Sequence, residues 1–209
     1  MTGESVLEQV NREMAEVVKR VRGSLVQISN GPGSVGSGTI WREDGLILTN
    51  AHVVHGRQHS LKVTLPDGRT LPASVLAYDP AHDLAALSVE ATGLPAIRAG
   101  DSQALQPGEW VLGVGHPWGV AGAVTAGAVI DVGATVEGRF PHGELVQVGL
   151  HLRPGHSGGP LVDVQGRLVG ISTMINGPDV GLAVPVHVVQ AFLEKVLAAR
   201  ARAKTQIYI

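Results

Sequence analysis

The stretch RPGHSGGPL, Arg153–Leu161, sets three glycines, two prolines, a histidine and a serine between apolar, strand-like runs. Gly supplies positive φ and Pro presets φ, so the composition alone describes a tight turn. The same composition suits a nucleophile, because side-chain-free neighbours let a substrate carbonyl approach the backbone amides beside Ser157. Gly155-His156-Ser157-Gly158-Gly159 matches the G-x-S-x-G elbow literally, but an elbow stands between a strand and a helix, with its acid and histidine later in the chain. The run before Ser157 shows no helical period, and the chain ends at Ile209. The opposite order, histidine then aspartate then serine, is available. His52 stands in LTNAHVV and Asp83 in HDLAAL, each at the edge of an apolar run in the first half of the chain.

Outward from these residues, short β-rich runs alternate with Gly, Pro and Asp-Gly punctuation from about Ser24 to Pro185. They are SLVQIS, SGTIW, GLILT, LKVTL, SVLAY, LAALSV, WVLGV, GAVIDV, LVQVGL, RLVGIST and VGLAV. This rhythm predicts an all-β barrel or sandwich. Asp44-Gly45 and Asp67-Gly68 read as hairpin turns. Ile97–Trp110 interrupts the rhythm and reads as a crossover between two β lobes. Helical period appears only at the ends: Val6, Val10, Met14, Val17 and Val21 form one apolar face, and Val188, Phe192, Val196 and Ala199 form another after Pro185. The first face either packs on the β lobes or mediates self-association.

A chain of 209 residues, 44% apolar and 16% charged with a formal charge of −2, can bury a sizeable core and gives no reason to expect a nucleic-acid partner. There is no cysteine, which excludes disulfides and thiolate chemistry and leaves the compartment open. Neither a signal-peptide core nor a run of about 18 apolar residues occurs. As written the chain reads as cytoplasmic and without membrane insertion; a leader ahead of this start would make it periplasmic or extracellular.

The chemistry fits the order. A serine hydroxyl needs a base to take its proton during attack, and His52 is the candidate. A buried carboxylate, here Asp83, fixes the histidine tautomer and stabilises the imidazolium. The backbone N–H groups of Gly155 and Ser157 are placed to stabilise the oxyanion, which accounts for the glycine in this loop. His52, His55 and His59 also raise a metal site, but His52 is better used by the triad, so no metal and no cofactor are expected.

LTNAHVV, HDLAAL, AGDSQALQPGEWVLGVGHPWG, GAVTAGAVIDV, RPGHSGGPLVD and GLAVPV, in this order, resemble the protease domain of the HtrA/Deg family of serine endopeptidases. The resemblance implies two perpendicular six-stranded antiparallel β-barrels of chymotrypsin-like fold with the active site between them. It implies one protease domain over 1–209: an N-terminal helix over 1–22, barrels over 23–98 and 99–184, and a C-terminal helix over 185–203. It assigns base, acid and nucleophile to His52, Asp83 and Ser157, and the oxyanion hole is read over Gly155, His156 and Ser157, the His156 amide belonging to the loop that must adopt its geometry. The primary pocket falls to His151, Leu152, Thr173, Met174, Ile175 and Asn176, with an aliphatic preference because neither segment holds a carboxylate. Unfolded or misfolded polypeptides are the implied substrates, and a trimer built through the N-terminal segment is the implied assembly, although the aromatic residues commonly used there are missing.

The family usually has Asn where this chain has His156, and QTDAAINPGNSGG where it has QVGLHLRPGHSGG, so Gly149 and His151 also depart. Too few residues follow Pro185 for the C-terminal PDZ domain common in the family. Two functional readings follow: an active endopeptidase, or a chaperone-like peptide-binding protein that keeps the triad but holds its oxyanion loop in an inactive arrangement.

Overall fold

A computed structural model describes residues 5–29, 31, 35–56, 61–135 and 144–206; His59, of the histidine set above, lies outside them. Two closed antiparallel barrels of six strands each form the body. The first contains β1 (Leu25–Ser29), β2 (Val35–Ile40), β3 (Leu46–Thr49), β4 (Lys62–Thr64), β5 (Thr70–Asp79) and β6 (Leu84–Val89). It closes where β1 meets β4, with Ile28 opposite Val63. The second contains β7 (Trp110–Gly115), β8 (Ala123–Ala134), β9 (Leu145–Val148), β10 (Pro160–Asp163), β11 (Leu168–Ile175) and β12 (Gly181–Pro185). It closes where β10 meets β7, with Leu161 opposite Gly113.

Each barrel has its own apolar filling, with Ile28, Ile40, Ile47, Val63 and Leu87 in the first and Val111, Val146, Val148 and Leu161 in the second. A third cluster joins them: Leu48 and Leu84 from the first barrel pack with Leu112, Val114, Ile171 and Leu182 from the second. Burying one such leucine is worth roughly 1.5–3 kcal/mol, so this shared layer fixes the two barrels against each other and defines the cleft. The expected hairpin turns occur, with Gly45 at φ 91° and Gly68 at φ 88°. The crossover after β6 is stitched to the second barrel by Gly100 N–H to the Leu168 carbonyl at 2.8 Å and Leu168 N–H to the Arg98 carbonyl at 2.7 Å.

Helix α1 (Val6–Gly23) starts at a capping box, in which the Ser5 hydroxyl accepts from Glu8 N–H and the Glu8 carboxylate accepts from Ser5 N–H. Its apolar face is only half used: Val17 and Val21 are buried in the shared layer, whereas Val6, Leu7 and Val10 are exposed. Helix α3 (Val186–Gln206) buries Val189, Phe192, Leu193 and Val196 in the same layer.

Three elements escaped the sequence reading, one of them a short 3-10 turn over Pro117–Gly119. Strand β10 follows a Gly-Gly pair and opens on Pro160, which masks its strand character. His52 lies not at the end of a strand but on a one-turn helix, α2 (Ala51–Val54).

Candidate active site

His52 and Asp83 come from the first barrel and Ser157 from the second, and the cleft brings all three to one cavity of about 460 Å³. Asp83 is buried and thoroughly bonded. Its Oδ2 lies 2.8 Å and its Oδ1 3.0 Å from His52 Nδ1, and Oδ1 also accepts the His52 backbone N–H at 3.0 Å. The Thr173 hydroxyl donates to Oδ2, and the Asn50 amide donates to the Asp83 carbonyl at 2.9 Å. Asp83 takes the left-handed conformation, φ 52°, which aspartate tolerates better than bulkier residues. A carboxylate only accepts, so the proton of neutral His52 sits on Nδ1 and Nε2 is left as the base.

Ser157 Oγ donates to the Thr173 carbonyl at 2.8 Å. Thr173 therefore touches both the acid, through its hydroxyl, and the nucleophile, through its carbonyl. Among the described residues no hydrogen bond joins Ser157 to His52. Catalytic hydrogen bonds are often loose without substrate.

The segment before Ser157 is a type II turn. His156 N–H closes it on the Arg153 carbonyl at 2.9 Å, Pro154 fills the first corner, and Gly155 at φ 104° fills the second. The turn's outward carbonyls are tied back. Pro154 C=O accepts Trp118 N–H at 3.2 Å, and Gly155 C=O accepts His116 N–H at 3.1 Å and the Ser37 hydroxyl at 2.7 Å. A trans peptide points its N–H away from its C=O, so Gly155 N–H faces away from Trp118. Neither Gly155 N–H nor Ser157 N–H has a hydrogen-bond partner among the described residues. These are the two donors an oxyanion requires. His156 N–H, expected among them, is instead committed to the turn.

The glycines answer to close contact. A Cβ on Gly155 would stand 2.3 Å from the His116 carbonyl oxygen, and one on Gly158 2.1 Å from the Ser37 carbonyl oxygen. Ser37 N–H donates to the Ser157 carbonyl at 2.8 Å and Thr39 Oγ1 to the Gly158 carbonyl at 3.2 Å, so strand β2 of the first barrel grips both sides of the nucleophile.

Behind the turn lie two buried imidazoles. Burial, and then the neighbouring His156, hold His116 down to about 4. Burial and the Arg153 charge hold His156 below its ordinary value, against a partial upward pull from the Arg153 backbone. Both rings are therefore neutral near pH 7. With the Ser37 proton on Gly155, His116 Nδ1, 3.1 Å from Ser37 Oγ, donates to it. His156 Nδ1 accepts Arg153 N–H at 3.1 Å. Neutral His156 thus braces the turn from inside, in the place where Asn was expected.

The cavity wall contains Leu152, Thr173, Met174 and Ile175, joined by Pro80 and Arg153, which sequence reasoning missed. Two expected members lie elsewhere. His151 is 51% exposed and pairs with Asp179 at 2.6 Å, because the carboxylate on the β11–β12 hairpin draws its imidazole out of the cleft. Asn176 is exposed, its N–H closing that hairpin on the Val180 carbonyl at 2.8 Å. Among the described residues no group of His, Cys, Asp and Glu is arranged to hold a metal.

Paired barrels with a His–Asp pair on one and a serine beside two free amides on the other define the trypsin-like peptidase class. The family model described as trypsin-like peptidase domain matches residues 36–171, and the chain belongs to that family.

Within it, the similarity is to HtrA-type proteins. The chain is 39% identical over 164 residues to the putative serine protease HhoB of Synechocystis sp., covering 76% of this chain and 39% of the relative. It is 38% identical over 179 residues to mitochondrial serine protease HTRA2 of Drosophila willistoni, covering 84% and 41%. It is 41% identical over 160 residues to a probable periplasmic serine endoprotease, DegP-like, of Halomonas elongata, covering 74% and 33%. The chain thus spans about two fifths or less of the length of these relatives. Among solved structures, the HtrA-type protease AlgW with a tripeptide superposes with a TM-score of 0.83 at 32% identity, covering 88% of this chain and 63% of that one. AlgW with a decapeptide gives 0.82 at 27%, covering 88% and 67%.

Proposed function

We propose that this chain is a serine endopeptidase that hydrolyses peptide bonds of unfolded or misfolded polypeptides through a covalent acyl-enzyme. The observation that carries the reading is the pair of free amides, Gly155 N–H and Ser157 N–H, in a turn whose carbonyls are tied back on the far side. A latent oxyanion loop would turn a carbonyl into that space. The open hole favours the active enzyme over the chaperone-like alternative.

In the proposed cycle, Ser157 Oγ leaves the Thr173 carbonyl and attacks the substrate carbonyl carbon while His52 Nε2 takes its proton. The carbonyl oxygen gains the charge that Gly155 and Ser157 N–H stabilise. Asp83 stabilises the imidazolium, which then protonates the departing amine as the C–N bond breaks. Water, deprotonated by His52, attacks the acyl-enzyme and returns Ser157 and an acid product. Asp83 is fully bonded within the protein and its carboxylate is not offered to a substrate cation, so the apolar wall of Leu152, Met174 and Ile175 favours Val, Ala, Ile or Leu at the cleaved position. Discrimination among these is modest, because one methylene is worth about 1–3 kcal/mol. The exposed Val6, Leu7 and Val10 of α1 support self-association through the N-terminal segment, as a trimer.

The test is labelling with a fluorophosphonate, adduct mapping by mass spectrometry, and casein digestion. The expected result is an adduct on Ser157, no digestion by Ser157→Ala, and cuts after aliphatic residues. A folded protein left unlabelled at Ser157 would sink the active-enzyme reading.

A further inference from the structure

Arg153 is the cation in the cavity wall, and among the described residues its partners do not include a carboxylate. Arg42, Arg69 and Arg167 pair with Asp44, Asp67 and Asp163, whereas among the described residues the Arg153 guanidinium makes one hydrogen bond, from Nη1 to the Leu152 carbonyl at 3.3 Å. A guanidinium carries five N–H donors in a planar fork that matches a carboxylate, so most of this fork is left for something else. The carboxylate in the same wall, Asp83, is 6% exposed and engaged by His52 and Thr173, so it does not neutralise Arg153.

The fork is also held in place. Arg153 Cζ lies 5.9 Å from the centroid of the Trp118 ring, within reach of a cation–π contact. Trp118 is 72% exposed and sits at φ 49°, a conformation that costs a bulky residue free energy. That conformation lets its N–H reach the Pro154 carbonyl while its ring meets Arg153. A guanidinium braced in this way loses less freedom when it binds a partner. Arg153 is also the first residue of the oxyanion turn, so its charge lies a few residues from the nucleophile.

We propose that Arg153, braced by Trp118, reads an acidic side chain of the substrate, so that the protein prefers polypeptides with Asp or Glu within three residues of the cleaved aliphatic position. The proposal rests on the endopeptidase reading and names its substrate class more narrowly. An ion pair at a cleft rim gives a moderate preference that salt weakens, and bidentate geometry raises it.

The experiment uses peptides with one cleavable Val and either Glu or the isosteric Gln at each of three positions on both sides. The ratio of kcat/KM for Glu over Gln is measured for wild type, Arg153→Gln and Arg153→Glu, at low salt and in 1 M NaCl. The expected ratio is about three- to tenfold at one position or more in the wild type. It shrinks in high salt, approaches one in Arg153→Gln and inverts in Arg153→Glu. Ratios within twofold of one at every position, or a preference that persists in Arg153→Gln, overturn the proposal. Because the wild-type ratios and their salt dependence suffice to overturn it, the proposal stays exposed even if a variant fails to fold. Cleavage of all peptides at flat ratios overturns this proposal alone, whereas no cleavage with Ser157 unlabelled overturns the endopeptidase reading beneath it.

Discussion

In the proposed cycle Asp83 and Gly155 both serve Ser157, and they are held in contrasting ways. Asp83 is fixed through its own carboxylate, which accepts the His52 ring, the His52 backbone and the Thr173 hydroxyl. Gly155 has no side chain to hold. The Pro154 carbonyl, at the other end of the same peptide unit, is tied down by Trp118 N–H, which turns the Gly155 N–H the opposite way and leaves it unbonded, while the Gly155 carbonyl, held by Ser37 and His116, anchors the turn. The acid is positioned by saturating the functional group, and the oxyanion donor by saturating the group behind it. The first arrangement protects a charge that stays put; the second keeps two dipoles ready for a charge that appears only during reaction.

The contrast breaks most visibly at the acid. Asp83→Asn should leave the fold intact, since Asn also accepts the left-handed conformation, yet present an N–H where His52 needs an acceptor. The ring then adopts the wrong tautomer, and kcat should fall by about 10⁴, the size of the effect for the same exchange in a chymotrypsin-type triad. Casein turnover by the folded variant checks this. Near-normal turnover would mean that Asp83 does not set the tautomer.

On the oxyanion side the effect should be smaller and of another kind. Ser37→Ala removes one of the two donors on the Gly155 carbonyl but leaves His116 N–H, so the turn loosens without losing its hole. Removing an oxyanion donor outright costs about 10²–10³; loosening one should cost about tenfold in kcat, with KM within about twofold of wild type. Steady-state kinetics on an aliphatic peptide separates the two. A change confined to KM would show that Ser37 shapes substrate binding rather than the hole.

The same contrast explains what was legible in the sequence. His52, Asp83 and Ser157 carry side-chain chemistry in fixed order, and their local motifs expose them. The alternation of apolar runs with Gly and Asp-Gly turns shows the barrels. The support of the hole is different: Ser37 lies far along the chain from Gly155, and acts through a backbone carbonyl that no residue type announces. His156 stood out as unusual, but which of its groups would face the hole depends on turn geometry. His151 was misplaced for a similar reason, since nothing local shows that Asp179 on the next hairpin captures it. Arg153 looked like part of a turn until Trp118, placed by an uncommon φ, gave it a platform.

The smallest expected effect lies behind the hole and tests whether its support is apolar in character. Burial holds His116 at about 4, against an ordinary value of 6.5, and burial with the Arg153 charge depresses His156. In the unfolded chain both rings take up protons near their ordinary value, while the native protein refuses them. The unfolded state therefore binds more protons below pH 6.5, and stability falls as pH drops from there toward 4. Below about pH 4 the native His116 is protonated too, and its share of the loss levels off. His116→Asn keeps an amide within reach of Ser37 Oγ but cannot titrate, so its urea midpoint should fall less between pH 7.5 and 5 than that of the wild type. Equal falls in the two proteins would mean that His116 takes up its proton in the native state without penalty, and that the back of the oxyanion turn is open to water.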